Sequence, residues 1–552
     1  MLEKIRAYLV QNGLDAVLVP HQDEFLGEYL TADKKRLKAL TGFSGSAGLA
    51  VITAEQAVLF VDSRYTIQAK RQTRFDVLEV PSETTPLKWI SKNLKGKKIA
   101  FNGDVHSAAS ILSMQSKTKE HKIKWVNLSD NIVDMFWLNR PEPAEMKPTE
   151  YDETYAGRSA EDKIASVASE IAMAGFDAML VADPESVSWL INRRDLQNPE
   201  CPIYYDRAIV YATGKCEQLT EKSLKTLSKK KVMSDFNRLP YSMYEKLAKA
   251  LTDKSDIIAT MKAQKNAIEI QNLRQACLYE SAVICKFLAF VEQQKETITE
   301  LDCVKELHGL RAQNPLYIAD SFDVIAASGP HAAQAHYLPT PSTSCFVRKY
   351  PLLLVDTGGQ YLNGTTDMTR TICIGKPTPL TKKRYTQVLK GHIALASAQI
   401  AEGDTPAELD KLAHQFLRAD GADYLHATGH GIGMFLSVHE NPPVIHEKSE
   451  TPLYAGMVFS NEPAVYDEAN GFGIRLENML LSVPAENGQL KFENLLFIPF
   501  DGRMVDFDML TADEKAWLKV YHEKIVSDIF PMIGANVKAV LKPLIDTFIQ
   551  NG

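Results

Sequence analysis

The sequence predicts a mixed α/β (α+β) protein with two related N-terminal domains and a larger C-terminal domain. Its 552 residues are more than one hydrophobic core can organise, so several domains are expected. A helical pattern followed by a glycine and a short apolar strand occurs twice in the first third of the chain. From about residue 261, one long helical pattern precedes many short strands, which is typical of an α+β domain.

The repeated pattern defines the first two domains. Residues 2–19 carry an amphipathic helix that ends in GLDAVLV, and residues 161–181 follow the same plan and end in GFDAMLV. The glycine suits a helix C-cap, and the apolar run suits a strand buried on both faces. A polar, proline-rich stretch, RPEPAEMKPTEYDETY, links the two copies. We therefore expect related domains at residues 1–139 and 140–260.

Residues 261–552 form the third predicted domain. Apolar residues recur at helical spacing over residues 267–293, and two more helices are expected near residues 381–401 and 405–420. Strands are expected up to about residue 500, and Thr511 suits the N-cap of a terminal helix. The residues that point to a chemical function lie in this region.

The composition excludes several classes of function. With 69 acidic and 62 basic residues, the formal net charge is −7, which gives no basic surface for nucleic acid. No stretch approaches the roughly 18 apolar residues of a membrane span, and the charged N-terminus lacks the apolar core of a signal peptide. Seven cysteines without a CxxC pair favour a reducing compartment. The sequence thus predicts a soluble, cytoplasmic protein that binds neither nucleic acid nor membranes.

Two aspartates flank a turn in the third domain. Asp356 ends an apolar strand, and Asp367 lies in the next strand, after a glycine-rich turn. On adjacent antiparallel strands their carboxylates would lie a few ångströms apart, where they repel each other unless they share a proton or bind cations. Either aspartate alone is more typical of a turn or a surface. The interpretation of the pair as a metal site therefore depends on the further candidate ligands described next.

Three histidines lie close together in HATGHGIGMFLSVHE, namely His426, His430 and His439. Glycines flank His430, and glycine permits the close backbone approach that a crowded site requires. A purely structural histidine cluster is the alternative. The number of histidines and glycines in one short segment favours a functional site.

Two glutamates complete the candidate set. Glu462 follows an apolar strand, and Glu477 alternates with Arg475 on one face of another. A surface ion network with Arg475 would explain Glu477 but not the other acids. Four carboxylates and one imidazole without a thiolate suit manganese better than structural zinc, and their charge favours two dications over one. Dinuclear sites of this kind hold a bridging water or hydroxide that attacks a carbonyl. The predicted metal ligands are Asp356, Asp367, His430, Glu462 and Glu477.

These residues, in this order, resemble the pita-bread metallopeptidases, and in particular the aminopeptidase P (Xaa-Pro aminopeptidase) branch. The resemblance rests on GTTDMTRT at 364–371, HATGHGIGMFLSVHE at 426–440, NEP at 461–463 and GIRLEN at 473–478. It extends to ALTGFSGSAG at 39–48, DSRYTIQA at 62–69 and MLTADEKAWLKVYHEKI at 509–525. It implies the long form of the family, in which two creatinase-like domains precede a pita-bread catalytic domain.

The resemblance also implies an activity and a role for each predicted metal ligand. The activity is hydrolysis of the N-terminal Xaa-Pro bond of peptides, with a hydroxide that bridges two metal ions as the nucleophile. The ions would be Mn²⁺, with Zn²⁺ or Co²⁺ as alternatives, and the protein would be a homodimer. Asp356 would bind one metal, and Asp367 and Glu477 would bridge both. His430 and Glu462 would be the remaining ligands of the second metal, and Glu462 would also act as the general base.

Further residues match positions that line the substrate cleft in the family. The resemblance implies that His336, His426 and His439 hold the scissile carbonyl and carry a proton to the leaving nitrogen, which suits imidazole near neutral pH. Arg64 matches an arginine that lies near the substrate. Arg475 would brace the carboxylates without binding metal itself.

The sequence departs from the family pattern at one place and leaves three other functions open. Relatives have Glu-Pro-Gly-Tyr-Tyr where this chain has Glu462-Pro-Ala-Val-Tyr466, a change that removes no ligand but alters the neighbouring pocket. Phe322 and Tyr337 are candidate walls for a proline pocket.

The alternative functions are a prolidase restricted to Xaa-Pro dipeptides, a non-catalytic binding protein of the same fold, and metal-free creatinase-like chemistry. The last two are disfavoured because all five ligands are present.

Overall fold

The computed structural model describes residues 1–551, which form two compact units. The first unit contains residues 1–151, 158–198 and 203–258, and the second contains residues 152–157, 199–202 and the chain from 259 onward. The predicted mixture of helices and strands is confirmed. The boundaries of the three predicted domains remain a prediction. Within residues 1–551, every helix is too short or too polar to cross a lipid bilayer.

The α-helices are numbered in chain order. They are α1 Leu2–Gln11, α2 Arg36–Thr41, α3 Thr66–Gln72, α4 Pro86–Asn93, α5 Ala108–Lys117, α6 Glu153–Ala156, α7 Ala160–Met173, α8 Pro184–Leu190, α9 Glu221–Leu227, α10 Tyr241–Leu247, α11 Ile257–Ala263, α12 Ala267–Gln294, α13 Glu300–Arg311, α14 Pro379–Ala396, α15 Ala407–Arg418, α16 Ala512–Lys524 and α17 Ala535–Asn551. The predicted helices of the third region correspond to α12, α14, α15 and α16.

The strands are numbered in the same way. They are β1 Ala16–Pro20, β2 Leu49–Thr53, β3 Ala57–Asp62, β4 Asp76–Val80, β5 Lys98–Asn102, β6 Lys124–Leu128, β7 Pro148–Glu150, β8 Ala178–Val181, β9 Arg193–Asp195, β10 Ala208–Tyr211, β11 Cys216–Gln218, β12 Val232–Ser234, β13 Leu251–Asp253, β14 Tyr317–Asp320, β15 Ile325–Ser328, β16 Leu352–Thr357, β17 Gly359–Tyr361, β18 Gly364–Thr365, β19 Met368–Cys373, β20 Ile400–Ala401, β21 Gly429–Gly431, β22 Glu440–Ile445, β23 Val458–Asn461, β24 Ala464–Asp467, β25 Phe472–Arg475, β26 Asn478–Pro484 and β27 Gln489–Asn494.

The first unit contains the predicted repeat, in two sheets with orders β4-β3-β2-β1-β5-β6 and β11-β10-β8-β12-β13. In each copy a helix, α1 or α7, is followed by a glycine with positive φ, +61° at Gly13 and +73° at Gly175. The next strand, β1 or β8, is buried along its whole length. It pairs antiparallel with one neighbour and parallel with another. The shared plan of helix, glycine and doubly buried strand is therefore confirmed.

The second unit is organised around the long helix α12. Asn266 caps this helix in a reciprocal capping box with Glu269, which satisfies backbone donors at the helix start. Fourteen of its residues are buried, so it forms one wall of the largest hydrophobic core. Thr511 caps α16 in the same way with Glu514, as the sequence predicted.

The strands of the second unit form several small antiparallel sheets. One has the order β15-β16-β19, and another has the order β20-β27-β26-β23-β21-β22. β24 and β25 form a separate hairpin, which begins next to Glu462 and ends next to Glu477. This arrangement brings the ends of β16, β19, β21, β23 and β25, which flank the predicted metal ligands, into one region of the core.

Candidate metal centre

The two aspartates lie on neighbouring antiparallel strands. β16 pairs with β19 so that Asp356 is opposite Thr369, and Asp367 immediately precedes β19. Asp367, His430 and Glu477 each offer a ligand atom, and these three atoms lie within 4.8 Å of one another. All but His430 are buried. The turn between the aspartates therefore places two carboxylates at one end of the same sheet.

His430 is held by a close approach of backbone around it. A Cβ atom on Gly429 would lie 1.8 Å from the Ser460 carbonyl oxygen, so only glycine fits there. The Nδ1–H of His430 donates to the Gly431 carbonyl at 2.9 Å, which leaves Nε2 facing the carboxylates. Nε2 lies 3.4 Å from Asp367 Oδ2 and 3.5 Å from Glu462 Oε1. Burial opposes protonation of this imidazole, but the two carboxylates outweigh it and raise its pKa to about 9.

The two glutamates are held by hydroxyl and backbone groups. Glu477 Oε2 accepts a 2.7 Å hydrogen bond from the Thr369 hydroxyl. Burial and three neighbouring carboxylates raise the pKa of Glu477 well above its ordinary value. The Glu462 backbone N–H donates to the Thr428 carbonyl at 2.8 Å. Burial raises the pKa of Glu462, but the surrounding histidines and Arg475 outweigh it and lower that pKa overall.

Asp356 is paired with Arg475, and one of its oxygens is unsatisfied. Arg475 Nη2 donates to Asp356 Oδ2 at 2.6 Å, and both side chains are buried. Asp356 Oδ1 is buried and has no hydrogen-bond partner. Burial and the neighbouring carboxylates raise the pKa of Asp356 to about 6, although Arg475 opposes the shift. The predicted role of Arg475 as a brace for the carboxylates agrees with this contact.

The chemistry of these groups fits divalent cations. Four carboxylates, of which Asp356, Asp367 and Glu477 are buried and Glu462 is half-buried, face the Arg475 guanidinium and the His430 imidazole, which leaves excess negative charge. The raised carboxyl pKa values are the protein's response to that charge without a metal. Because cations would relieve the repulsion and would also engage the unpaired Asp356 Oδ1, the residues present suit hard, oxygen-seeking dications.

The histidines predicted to line the cleft lie around this group. His439 packs edge-on against His430, with ring centroids 4.3 Å apart. His426 Nε2 lies 3.0 Å from the Tyr466 hydroxyl, and its Nδ1 lies 3.9 Å from Glu462 Oε2. His336 is half-buried and follows Ala335, whose carbonyl accepts a 3.3 Å hydrogen bond from Arg475.

Other candidates have different surroundings. Arg64 belongs to the first unit, where its guanidinium pairs with Asp62 at 2.8 Å, and its role near a substrate remains a prediction. The Tyr337 hydroxyl donates to Glu300 at 3.1 Å and its ring stacks on His331, so it belongs to another cluster. Phe322 is half-buried.

Two residues of the site did not emerge from the sequence. The Thr369 hydroxyl donates to Glu477 and accepts a 3.1 Å hydrogen bond from Arg475. Thr369 therefore connects β19 to the segment that carries Arg475 and Glu477. Its position two residues after Asp367 puts both on one face of the chain, which is a usable signal. The Tyr466 hydroxyl accepts from Arg475 at 2.6 Å and donates to His426 Nε2. No spacing pattern connects this tyrosine to His426.

Comparison with known proteins places the chain in a family. Residues 271–483 match the model of metallopeptidase family M24, and residues 488–542 match the C-terminal region of that family. Residues 1–135 and 139–219 each match a creatinase/prolidase N-terminal domain. A probable Xaa-Pro aminopeptidase P from Laccaria bicolor is 32% identical over 98% of this chain and 91% of its own length. The chain belongs to metallopeptidase family M24.

Other members of the M24 family support the same grouping. A probable Xaa-Pro aminopeptidase P from Aspergillus niger is 30% identical and covers 95% of this chain and 94% of its own length. The crystal structure of an X-prolyl aminopeptidase from Caenorhabditis elegans superposes with a TM-score of 0.92 at 27% identity, over 98% of both chains. That enzyme is described as cytosolic, with a di-nuclear active site. The two creatinase-like domains followed by a pita-bread domain are confirmed as the fold of this M24 member.

Proposed function

We propose that this protein is an aminopeptidase that removes the N-terminal residue from peptides with proline in the second position. The observation that carries the proposal is the convergence of Asp367, His430 and Glu477 within 4.8 Å, in a chain of the M24 family. Relatives similar to the chain over nearly its whole length are named Xaa-Pro aminopeptidase P, which agrees with this specificity.

We propose that two divalent ions, Mn²⁺ in the first place, are held by the predicted ligands. Asp356 would bind one ion, His430 and Glu462 the other, and Asp367 and Glu477 both. When bound, such a pair supplies a bridging hydroxide as nucleophile and polarises the scissile carbonyl. The oxygen-rich ligand set, which lacks a thiolate, supports manganese over zinc or cobalt.

The protein's own side chains position the substrate and move protons. Glu462, whose pKa is lowered, accepts a proton as general base. His336 and His439 hold the scissile carbonyl. Together with these two histidines, His426 carries a proton towards the leaving proline nitrogen. Arg475 keeps Asp356 and Tyr466 in place through two 2.6 Å hydrogen bonds.

The preference for proline follows from the chemistry of the bond. A bond to proline is a tertiary amide with no N–H, so a site that depends on that hydrogen cannot hold it. A flat hydrophobic pocket beside the metal ligands would instead accept the pyrrolidine ring. The Glu462–Tyr466 segment, whose sequence differs from that of the relatives, leads into the β24–β25 hairpin beside the predicted metal ligands.

The length of the preferred peptide substrate distinguishes an aminopeptidase from a prolidase. We expect an Xaa-Pro-Xaa tripeptide to be cleaved at its first bond with a kcat/KM at least about tenfold above that of the Xaa-Pro dipeptide. Cleavage is followed by chromatography of the released amino acid, and Xaa-Ala-Xaa serves as the control substrate. Turnover of the dipeptide alone would overturn the aminopeptidase assignment.

His439→Ala should lower kcat by about 100-fold or more while both metals stay bound, since loss of one acid–base or carbonyl-binding group typically costs that much. The measurement combines steady-state kinetics with metal analysis of the dialysed protein. His446→Ala, which replaces a half-buried histidine just after β22, is the matched control and should behave as the parent. Loss of metal from His439→Ala would mean that this residue is itself a ligand.

Two further properties remain predictions. A cytoplasmic location agrees with the cysteine pattern and with the nematode relative, which is described as cytosolic. The homodimer implied by the family resemblance can be tested by sedimentation velocity, which should give twice the chain mass of 61.5 kDa.

A further inference from the structure

A second group of metal-ligating side chains lies outside the carboxylate site. Glu300 opens α13, His331 lies in the turn after β15, and Cys345 lies in the loop before β16. One ligand atom from each lies within 4.8 Å of the other two. The register of β15 and β16 pairs Asp356 with Ile325, whereas Ser328, next to the new group, pairs with Leu353. Three strand positions, or about 10 Å, therefore separate the two groups along the strand.

The carboxylate of Glu300 is fixed in place by four donors. Its Oε1 accepts from the Ser328 N–H at 2.7 Å and from His331 Nδ1 at 2.8 Å. Its Oε2 accepts from the Tyr337 hydroxyl and from the Cys345 N–H, both at 3.1 Å. Glu300 is fully buried, so its position does not depend on a mobile side chain. Its fixed oxygens anchor the backbone that carries the other two ligands.

His331 is also held in orientation and keeps one edge open. Its ring stacks on Tyr337 with centroids 4.2 Å apart and planes 19° from parallel. Its side chain retains 23% exposure, and Cys345 is half-buried. Ligands that are preorganised on one side and open to solvent on the other suit a cation that enters from water.

A purely structural role explains only part of this group. The hydrogen bonds account for the burial of Glu300, and the Cys345 thiol adds a weak contact to that carboxylate, but none of these bonds requires a thiol at this position. Its thiol lies beside a carboxylate and an imidazole without forming a disulfide. Burial and the Glu300 carboxylate raise the pKa of this thiol to about 11, as expected where two potential anions meet with no cation between them. A dication would reverse that balance and favour the thiolate.

We propose that Glu300, His331 and Cys345 form a third cation site, selective for a thiolate-seeking dication such as Zn²⁺. Carboxylate, imidazole and thiolate give three protein ligands, and solvent completes a tetrahedral shell. The cation takes the place of the proton between His331 Nδ1 and Glu300 Oε1, and the imidazole proton moves to Nε2. The Cys345 S–H bond breaks and its proton passes to solvent. The oxygen-rich centre prefers Mn²⁺, so each site selects its own metal.

Cobalt spectroscopy distinguishes this site from the carboxylate centre. Thiolate bound to Co²⁺ gives an intense charge-transfer absorption in the near ultraviolet, which the cysteine-free set of Asp356, Asp367, His430, Glu462 and Glu477 cannot give. We expect Co²⁺ added to the Mn²⁺-loaded protein to produce this band, saturating at one equivalent per chain. Zn²⁺ should then abolish it by displacement.

Two variants and a control assign the band to this group. Cys345→Ser should lose the band, and His331→Gln should weaken Co²⁺ binding at least about tenfold. Cys216→Ser is the matched control, because Cys216 is also half-buried with a thiol pKa of about 11, and it should keep the band. Tripeptide cleavage and circular dichroism report whether each variant is folded. Absence of the band from the parent protein, or its persistence in Cys345→Ser, would overturn the proposal. If Cys345→Ser does not fold, unchanged Co²⁺ affinity in His331→Gln would do so.

Discussion

Asp367→Ala is expected to abolish peptide hydrolysis, with a loss of at least about 1,000-fold in kcat/KM, or about 4 kcal/mol in activation free energy. Asp367 lies at the centre of the ligand group, with its Oδ2 3.4 Å from His430 Nε2. It also contributes to the raised pKa values of Asp356 and Glu477. If Asp367 is shared by both ions, as we propose, its removal changes the binding of each, so activity and metal content should fall together.

The Asp367→Ala experiment needs a control that separates the site from general damage. Asp404→Ala replaces an exposed aspartate of the same unit and should retain activity and metal. Thermal unfolding of the metal-free proteins should show Asp367→Ala to be close to the parent in stability, because loss of the contact with His430 is offset by loss of repulsion from the neighbouring carboxylates. Near-normal turnover in Asp367→Ala would contradict the bridging role.

Arg475→Met is expected to lower the free energy of unfolding of the metal-free protein by about 3–5 kcal/mol, the usual cost of leaving a buried charge without its partner. Arg475 is buried and donates 2.6 Å hydrogen bonds to Asp356 and Tyr466, and it also contacts Thr369. Methionine fills much of the volume but provides no donor. Differential scanning calorimetry with and without chelator measures the loss.

Two comparisons make the Arg475→Met result specific. Arg274→Met breaks a surface pair with Glu493 in which both side chains are more than a third exposed, so it should cost only about 0–1 kcal/mol. Excess Mn²⁺ should recover part of the deficit in Arg475→Met, since a bound dication compensates Asp356. If Arg475→Met and Arg274→Met were equally stable, Arg475 would not be the brace that its contacts indicate.

The parts of the fold that the sequence predicted were those set by local periodicity and capping. The helix over residues 267–293 is present as α12, because one apolar stripe and the capping box at Asn266 act within a few turns. The repeat was visible because Gly13 and Gly175 both need positive φ after a helix. Such signals depend on neighbours in the sequence and survive without knowledge of the packing.

Contacts between distant segments were not accessible in this way. The hydroxyl of Tyr466 meets His426 and Arg475 only because the β24–β25 hairpin folds back beside the histidine segment. Glu300, His331 and Cys345 belong to three separate segments with no motif spacing among them. By contrast, the ligand candidates of the carboxylate centre could be identified because several of them lie at the ends of apolar strands. The ends of neighbouring strands come together at the edge of a sheet. Periodicity identifies the strand, but only the sheet register decides which strand ends meet.

We propose that four carboxylates and one histidine of the second unit together bind two divalent ions that are needed for peptide cleavage. The most direct test is a titration of chelator-treated protein with Mn²⁺, in which bound metal and cleavage of an Xaa-Pro-Xaa tripeptide are measured in the same samples. We expect no cleavage without metal and maximal cleavage at two bound Mn²⁺ per chain. Full activity in the metal-free protein, or saturation of activity at a single bound ion, would show that cleavage does not need two metal ions.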